Sequence, residues 1–450
     1  MTKFGLVLMS AALCALAAER KLPAKFEPVA QLALAAPPEF AADALLRVVE
    51  SRQIKDRATL IDLAQQAFDL AANAHYRFGM RALAGIGVDT RSGSAAQAYG
   101  LKLDAISLQA RAVAAMLAAD SGRARVLFSS MVRPELAPLT CQDSLVYEVS
   151  PFYNALGAVA AGGFTAKERA KEDHLAFLLE YVAQVRSPAQ IAPMAAAIQS
   201  AGLTPRQLEA VVARFNGQLE TISGDDRSFS ASITEVSKSM TPDMQASFAK
   251  YLDKNLGGKR CEENVKATAR FGGTEGAKTE PTPKTGSYWQ SDTAQRLLAG
   301  ARKLRFGNEA AKPLSDAERS EAAWQTQLAD YEKELAAWEP ASEKSEADFY
   351  HQKCIVYEAL VELIPPGPER DKALAAFIGF IVGLNLQTQN PVEWFYPAHA
   401  MLSRVRNSNN GEPAKVLAAF EASGNPVLIL YAALERLFER NVPTWVVPNS

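Results

Sequence analysis

Helix-starting signals recur along this chain more densely than any other local pattern, and they restrict it to a helical architecture. Ser187-Pro188, Thr204-Pro205, Thr241-Pro242, Asn390-Pro391 and Asn425-Pro426 each place a capping side chain before a proline. The cap oxygen accepts from a backbone N–H that the first turn leaves unpaired, and proline has no such N–H. Thr165 with Glu168, Ser187 with Gln190, Thr204 with Gln207 and Ser315 with Glu318 add the three-residue spacing of a capping box. Between these starts, apolar residues fall three and four apart. Leu60, Leu63, Ala64, Ala67, Phe68 and Ala71 form one stripe, and Leu208, Val211, Val212, Phe215 and Leu219 another. Alternating, strand-like segments are nearly absent. The pattern predicts an all-α fold of stacked antiparallel helical hairpins, an α-solenoid or helical-bundle array with little or no β structure.

Continuous helices are expected over 56–75, 143–160, 165–185, 315–339 and 368–388, among others. From Gly272 to Ser287 the chain reads GGTEGAKTEPTPKTGS, with no large apolar side chain to offset the entropy of ordering it. That predicts a flexible linker over 272–287, dividing an N-terminal helical region (19–271) from a C-terminal one (288–450). At 106–131, ISLQARAVAAMLAADSGRARVLFSSM sets Ala110 and Ala114 before Asp120-Ser121-Gly122-Arg123-Ala124 and Leu127-Phe128. This stretch resembles the turn between the paired helices of a tetratricopeptide-like repeat. The resemblance spans one hairpin, implies stacked helical pairs and carries no functional residues.

Met1-Thr2-Lys3 precedes an apolar run from Phe4 to Ala18, after which charge resumes at Glu19-Arg20-Lys21. A basic start, a short apolar core and a small-residue exit at Ala15-Leu16-Ala17 read as a signal peptide over 1–18. The run is shorter than the ~20 residues a membrane span requires. The mature chain is thus expected to be exported, periplasmic or extracellular, without a membrane span. Lipidation at Cys14 is an alternative, although Leu13 stands where that signal wants a small residue. Cys141, Cys261 and Cys354 remain in the mature chain. Cys354 sits in a helical pattern as a small buried hydrophobe. Cys141, after Pro134 and Pro138, and Cys261, after Gly257-Gly258, stand where two chain segments could be bridged in an oxidising compartment. Such a bridge would stabilise by about 4–5 kcal/mol on the chain-entropy account. Three free thiols in the denatured, unreduced mature chain would end that idea.

With 48 basic and 50 acidic side chains, the formal charge of −2 argues against a nucleic-acid partner held by bulk electrostatics. None of GxxxxGK[ST], HExxH, GxSxG or CxxC is present, so no cofactor, metal or catalytic residue is assigned. His351 and Cys354 share a helix face but lack a second metal-spaced pair. His174 follows Glu168 and Glu172, an acidic first turn that complements a helix dipole. Two clusters stand out as ligand-binding candidates. Glu393-Trp394-Phe395-Tyr396-Pro397 with His399 sets three consecutive aromatics on one helix, so at least one should reach a surface or groove. His75-Tyr76, near Arg77 and Arg81, borders the irregular stretch 85–100. Trp324, Leu328, Tyr331, Leu335 and Trp338 step four-three-four-three, the seam of a coiled-coil-like packing surface for the protein's own helices or for a partner helix. Phe377–Leu384 reads as a helix buried all round, with Gly379 and Gly383 admitting a close neighbour. The leading functional expectation is an exported, non-catalytic helical scaffold whose concave surface binds a peptide or protein in the cell envelope. The alternative is a carbohydrate-active envelope enzyme on a helical toroid, with two carboxyls facing each other across an aromatic-lined cleft.

Overall fold

The computed structural model describes residues 22–82, 90–140, 143–222, 292–306, 313–340, 346–383, 390–406 and 411–438, with isolated positions between 228 and 250. The segment 1–18, Cys141, Cys261, Thr241 and the stretch 272–287 lie outside the described residues. Among the described residues the chain is all-α apart from one short two-stranded ribbon. In order, the elements are α1 (Glu27–Ala33), α2 (Pro38–Glu50), α3 (Arg57–Ala71), β1 (Gly79–Ala82), α4 (Thr90–Tyr99), α5 (Ala105–Ala119), α6 (Ser121–Ser130), β2 (Leu145–Glu148), α7 (Ser150–Gly162), α8 (Ala166–Ala170), α9 (Asp173–Val182), α10 (Ile191–Ser200) and α11 (Pro205–Leu219). There follow α12 (Asp292–Phe306), α13 (Asp316–Arg319), α14 (Ala322–Ala337), α15 (Glu346–Leu363), α16 (Pro368–Gly383), α17 (Pro391–Val405), α18 (Glu412–Glu421) and α19 (Pro426–Phe438). Two compact units share them. The first comprises Met1–Gly87, Tyr99–Thr268 and Ala433–Ser450, and the second Val88–Ala98 and Ala269–Ala432.

The caps read in the sequence hold where the residues are described. All four capping boxes close in both directions, at Thr165, Ser187, Thr204 and Ser315. Aspartates start further helices: Asp56 accepts from the Thr59 amide at 2.8 Å, Asp104 from Ser107 at 2.9 Å and Asp120 from Arg123 at 3.0 Å. Asp120 is also the last cap of α5, so a single residue turns α5 into α6.

In the first unit α5 is the central rod, packed on α2, α3, α6 and α7. Ile106, Leu108 and Met116 are fully buried there, and so are Leu46 on α2, Leu63 on α3, Phe128 on α6 and Leu156 on α7. Burying each such side chain is worth about 1.5–3 kcal/mol. On α7, Gly157 lets α10 approach closely. A Cβ there would lie 3.0 Å from the Ala197 carbonyl oxygen and 3.2 Å from its Cα. In the second unit α15 packs on α12, α16 and α17, and α14 docks on α12. Trp324, Leu328, Tyr331, Leu335 and Trp338 are all buried, and the Trp324 indole N–H donates to the Leu304 carbonyl at 2.9 Å. The four-three seam therefore packs on this chain's own helices.

Several expected helices are interrupted. Over 143–160, residues Leu145–Glu148 form β2 and pair antiparallel with β1, Gly79 opposite Glu148 and Ala82 opposite Leu145. Helix starts only at Ser150, because Pro151 sets a first-turn position. Val146 is buried against Leu139 and Met80, which a helical register would not have kept on one face. The 165–185 helix breaks at Glu172, whose φ of 63° is left-handed. The 315–339 helix breaks at Ser320 and Glu321. The expectation for Phe377–Leu384 is also corrected. Ala373, Leu374, Phe377, Ile378 and Ile381 are buried, while Gly379 and Gly383 face open space with nothing within 4 Å of a built Cβ. The helix is one-sided, and its glycines sit on the outer side. No described helix is long and apolar enough to cross a membrane.

Candidate functional site

A cleft of about 490 Å³ opens in the first unit between the non-helical segment 132–140, α7, α9 and the 186–190 turn. That volume lies within the range of small-ligand pockets. Its apolar lining is aromatic: Phe152 and Tyr153 come from α7 and Tyr181 from α9. Behind them Phe128, Phe164 and Phe177 join through edge-to-face contacts, with Phe128 to Tyr181 at 5.2 Å and Phe177 to Tyr181 at 5.1 Å. Such pairs hold ring orientation as well as burying area. The sequence shows only Phe152-Tyr153 and the four-residue step from Phe177 to Tyr181. Bringing them together with Phe128 and Phe164 takes three helices.

The segment 132–140 is anchored at both ends and open in the middle. The Val132 amide donates to Gln109 at 2.9 Å, Arg77 donates to the Arg133 carbonyl at 3.2 Å, and Gln190 donates to the Pro134 carbonyl at 3.2 Å. At the far end Thr140 donates to Asp143 from both its amide and its hydroxyl. Between these anchors the peptide groups of Leu136 and Ala137 make no hydrogen bond with any described residue, and both residues line the cleft.

Gln190 is the buried node of the site. It is 4% exposed, and its carbonyl oxygen accepts from the Arg186 amide at 2.7 Å and the Ser187 amide at 2.9 Å. Its NH₂ donates to the Pro134 carbonyl, so one side chain ties the 186–187 backbone to the 132–140 segment. Burial pushes the Tyr153 phenol well above its ordinary range, so it is protonated near neutral pH. Arg133 stacks its guanidinium over the Tyr181 ring at 5.1 Å and donates to the Gln184 carbonyl oxygen. Arg186 is exposed at the rim, and no described carboxylate lies within ion-pair distance of it. The single lining carboxylate is Glu135, 80% exposed and 3.8 Å from Arg77.

The residues singled out from sequence lie elsewhere. His75 is exposed beyond the end of α3, edge-on to Tyr76. Tyr76 is half-buried and packs its ring on Tyr99 at 4.3 Å. On α17, Trp394 and Phe395 are core residues, and the Trp394 carbonyl accepts from the Tyr350 hydroxyl at 2.8 Å. Tyr396, His399 and Glu393 are half-buried. His399 lies against the rings of Phe395 and Tyr431. Glu393 acts electrostatically on His351, whose pKa burial lowers, and Tyr396 lies beside Glu358. Glu358 is paired with Arg404 at 3.1 Å, yet burial raises its carboxyl to about 7. The α17 residues bind α15 to α17, and none of the residues singled out from sequence lines the cleft described above.

Cys354 is a free, fully packed thiol, and burial raises its pKa well above the usual value. No group of three or more potential metal ligands occurs among the described residues. Beside Cys354, Lys353 is buried and donates to the Trp338 carbonyl at 2.6 Å and the Ala336 carbonyl at 3.3 Å, closing the C-terminus of α14. His174 is buried beside Phe164, its pKa lowered by burial.

Fold and cleft together define an all-α protein with a ligand-sized, aromatic-lined cleft bordered by open backbone. No family model, curated protein or solved structure matches the chain.

Proposed function

We propose that this chain is a non-catalytic binding protein, and that the cleft between the 132–140 segment and α9 takes a short extended peptide. One observation carries the reading: the unpaired peptide groups of Leu136 and Ala137 border an aromatic cleft. An extended ligand can satisfy such groups with its own backbone, while its side chains enter the space beside Phe152 and Tyr181. Pro134 and Pro138 bracket the open stretch and keep the segment from pairing over a longer edge. The carbohydrate-enzyme alternative needs two carboxyls facing each other, and the described lining supplies Glu135 alone.

Export belongs to the same proposal. It rests on the charge pattern of residues 1–21, and N-terminal sequencing of the protein from the cell envelope should begin near Glu19. Binding is tested by passing a randomised hexapeptide pool over the immobilised mature protein and over its Tyr181→Ala and Leu136→Pro variants. Enrichment by the wild type that both variants lose supports the cleft. Equal enrichment by all three removes it.

A further inference from the structure

The second unit holds a polar cluster whose charges do not balance. On α15, Glu358 and Glu362 stand one turn apart and both reach the Arg404 guanidinium on α17, Glu358 at 3.1 Å. One cation thus serves two carboxylates. Glu362 leaves 55% of its side chain open to water, whereas Glu358 leaves 14%. The other neighbours give Glu358 no second cation: Tyr396 faces it from α17, and Tyr350 and Cys354 lie on its own helix. On the other helices packed against α15, Arg296 pairs with Glu334, Lys372 with Glu332 and Arg370 with Glu412. A largely buried carboxylate with a shared partner favours its protonated form, in keeping with a folded value raised to about 7. At the other end of the same contact, His351 is buried and acted on by Glu393. Between the two ends, α17 carries Pro397, which cannot donate to the carbonyl one turn back.

We infer that the α15–α17 contact is a pH-operated clasp: α17 is held while Glu358 carries its proton, and parts from α15 more readily once Glu358 and Glu362 are both charged against Arg404. The closed contact keeps a proton that a hydrated Glu358 releases near 4.5, so rising pH favours opening. His351 works with the opposite sign at lower pH, because burial lowers its pKa and an opened imidazole takes up a proton. The contact is therefore tightest in a window between the two titrations.

Amide hydrogen exchange of the full chain, corrected for the intrinsic exchange rate at each pH, tests the clasp. Wild type and Glu358→Gln are compared on α17 between pH 5.5 and 8, with α5 of the first unit as reference. The ratio of the two proteins cancels the contribution of His351. Protection of α17 in the wild type, relative to Glu358→Gln, should fall about tenfold or more across that range while α5 is unchanged. Glu362→Gln should move the midpoint of the fall to lower pH, because it removes the competing charge. Arg404→Gln should move it to higher pH, because it removes the cation. Substitutions that only loosened packing would lower protection equally at every pH and shift no midpoint, which would count against the clasp. A ratio constant with pH would overturn the inference, and so would an equal fall in α5, the mark of global unfolding.

Discussion

Arg111 shows how one half-buried cation organises its surroundings. Its guanidinium meets Asp43 at 2.6 Å and both Glu50 oxygens at 2.8 Å, while Arg47 holds the other Asp43 oxygen at 2.8 Å. These two cations hold the Asp43 carboxyl below its ordinary value, although burial alone would raise it. Arg111→Met would leave that carboxylate buried with one partner. We expect a loss of about 3 kcal/mol in urea unfolding, the scale of a broken buried pair, whereas a loss under about 1 kcal/mol would show Arg47 to be sufficient. Glu358 is the opposite case, its folded pKa raised from 4.5 to about 7 by burial. Between those values the native state binds a proton that the unfolded chain has released, so stability declines as pH rises through that window. Glu358→Gln should flatten the decline and stabilise the protein by about 2–3 kcal/mol at pH 8. Denaturant midpoints from pH 4 to 8 would show it, and an unchanged slope would refute it.

At the scale of elements, caps and close approaches determine which helices form and where they stop. Thr165 and Glu168 exchange hydrogen bonds across the first turn of α8, and with Arg125 they hold the Glu168 carboxyl down to about 2. Thr165→Val should cost about 1 kcal/mol, measured by thermal unfolding near pH 7. Gly157 separates local from tertiary preference. In an isolated helix Gly157→Ala would add about 1 kcal/mol, but here the new Cβ meets the Ala197 backbone of α10. We expect a net loss of about 1–3 kcal/mol; a gain would mean that α10 can retreat without cost. The β1–β2 ribbon escaped the sequence reading because each strand is four residues long, too short for alternation to be seen beside a Leu- and Ala-rich helical background. The breaks at Glu172 and Ser320 escaped it for a related reason, since neither site carries a glycine or proline.

For the whole molecule, the thiols give a simple readout. Cys354 is buried in the second unit, so the native protein should leave it unmodified by a thiol reagent, and denaturation should expose it. If Cys141 and Cys261 are bridged, the denatured, unreduced mature protein will show one reactive thiol; three would exclude the bridge.

The helical class was legible because capping boxes and three-four spacing act within a few residues, where local hydrogen bonds outweigh anything distant. Ser187, Thr204 and Asn390 announced their helices for that reason. The candidate site was not legible. Trp394 drew notice as one of three consecutive aromatics, yet it is packed beneath Tyr350, because a helix carries its apolar face into whichever neighbour it meets. The cleft's parts, Leu136, Tyr153, Tyr181, Arg186 and Gln190, belong to separate segments and form no motif in line. Only packing brings them together, through a glutamine side chain whose partners could not be known until the chain had folded around it.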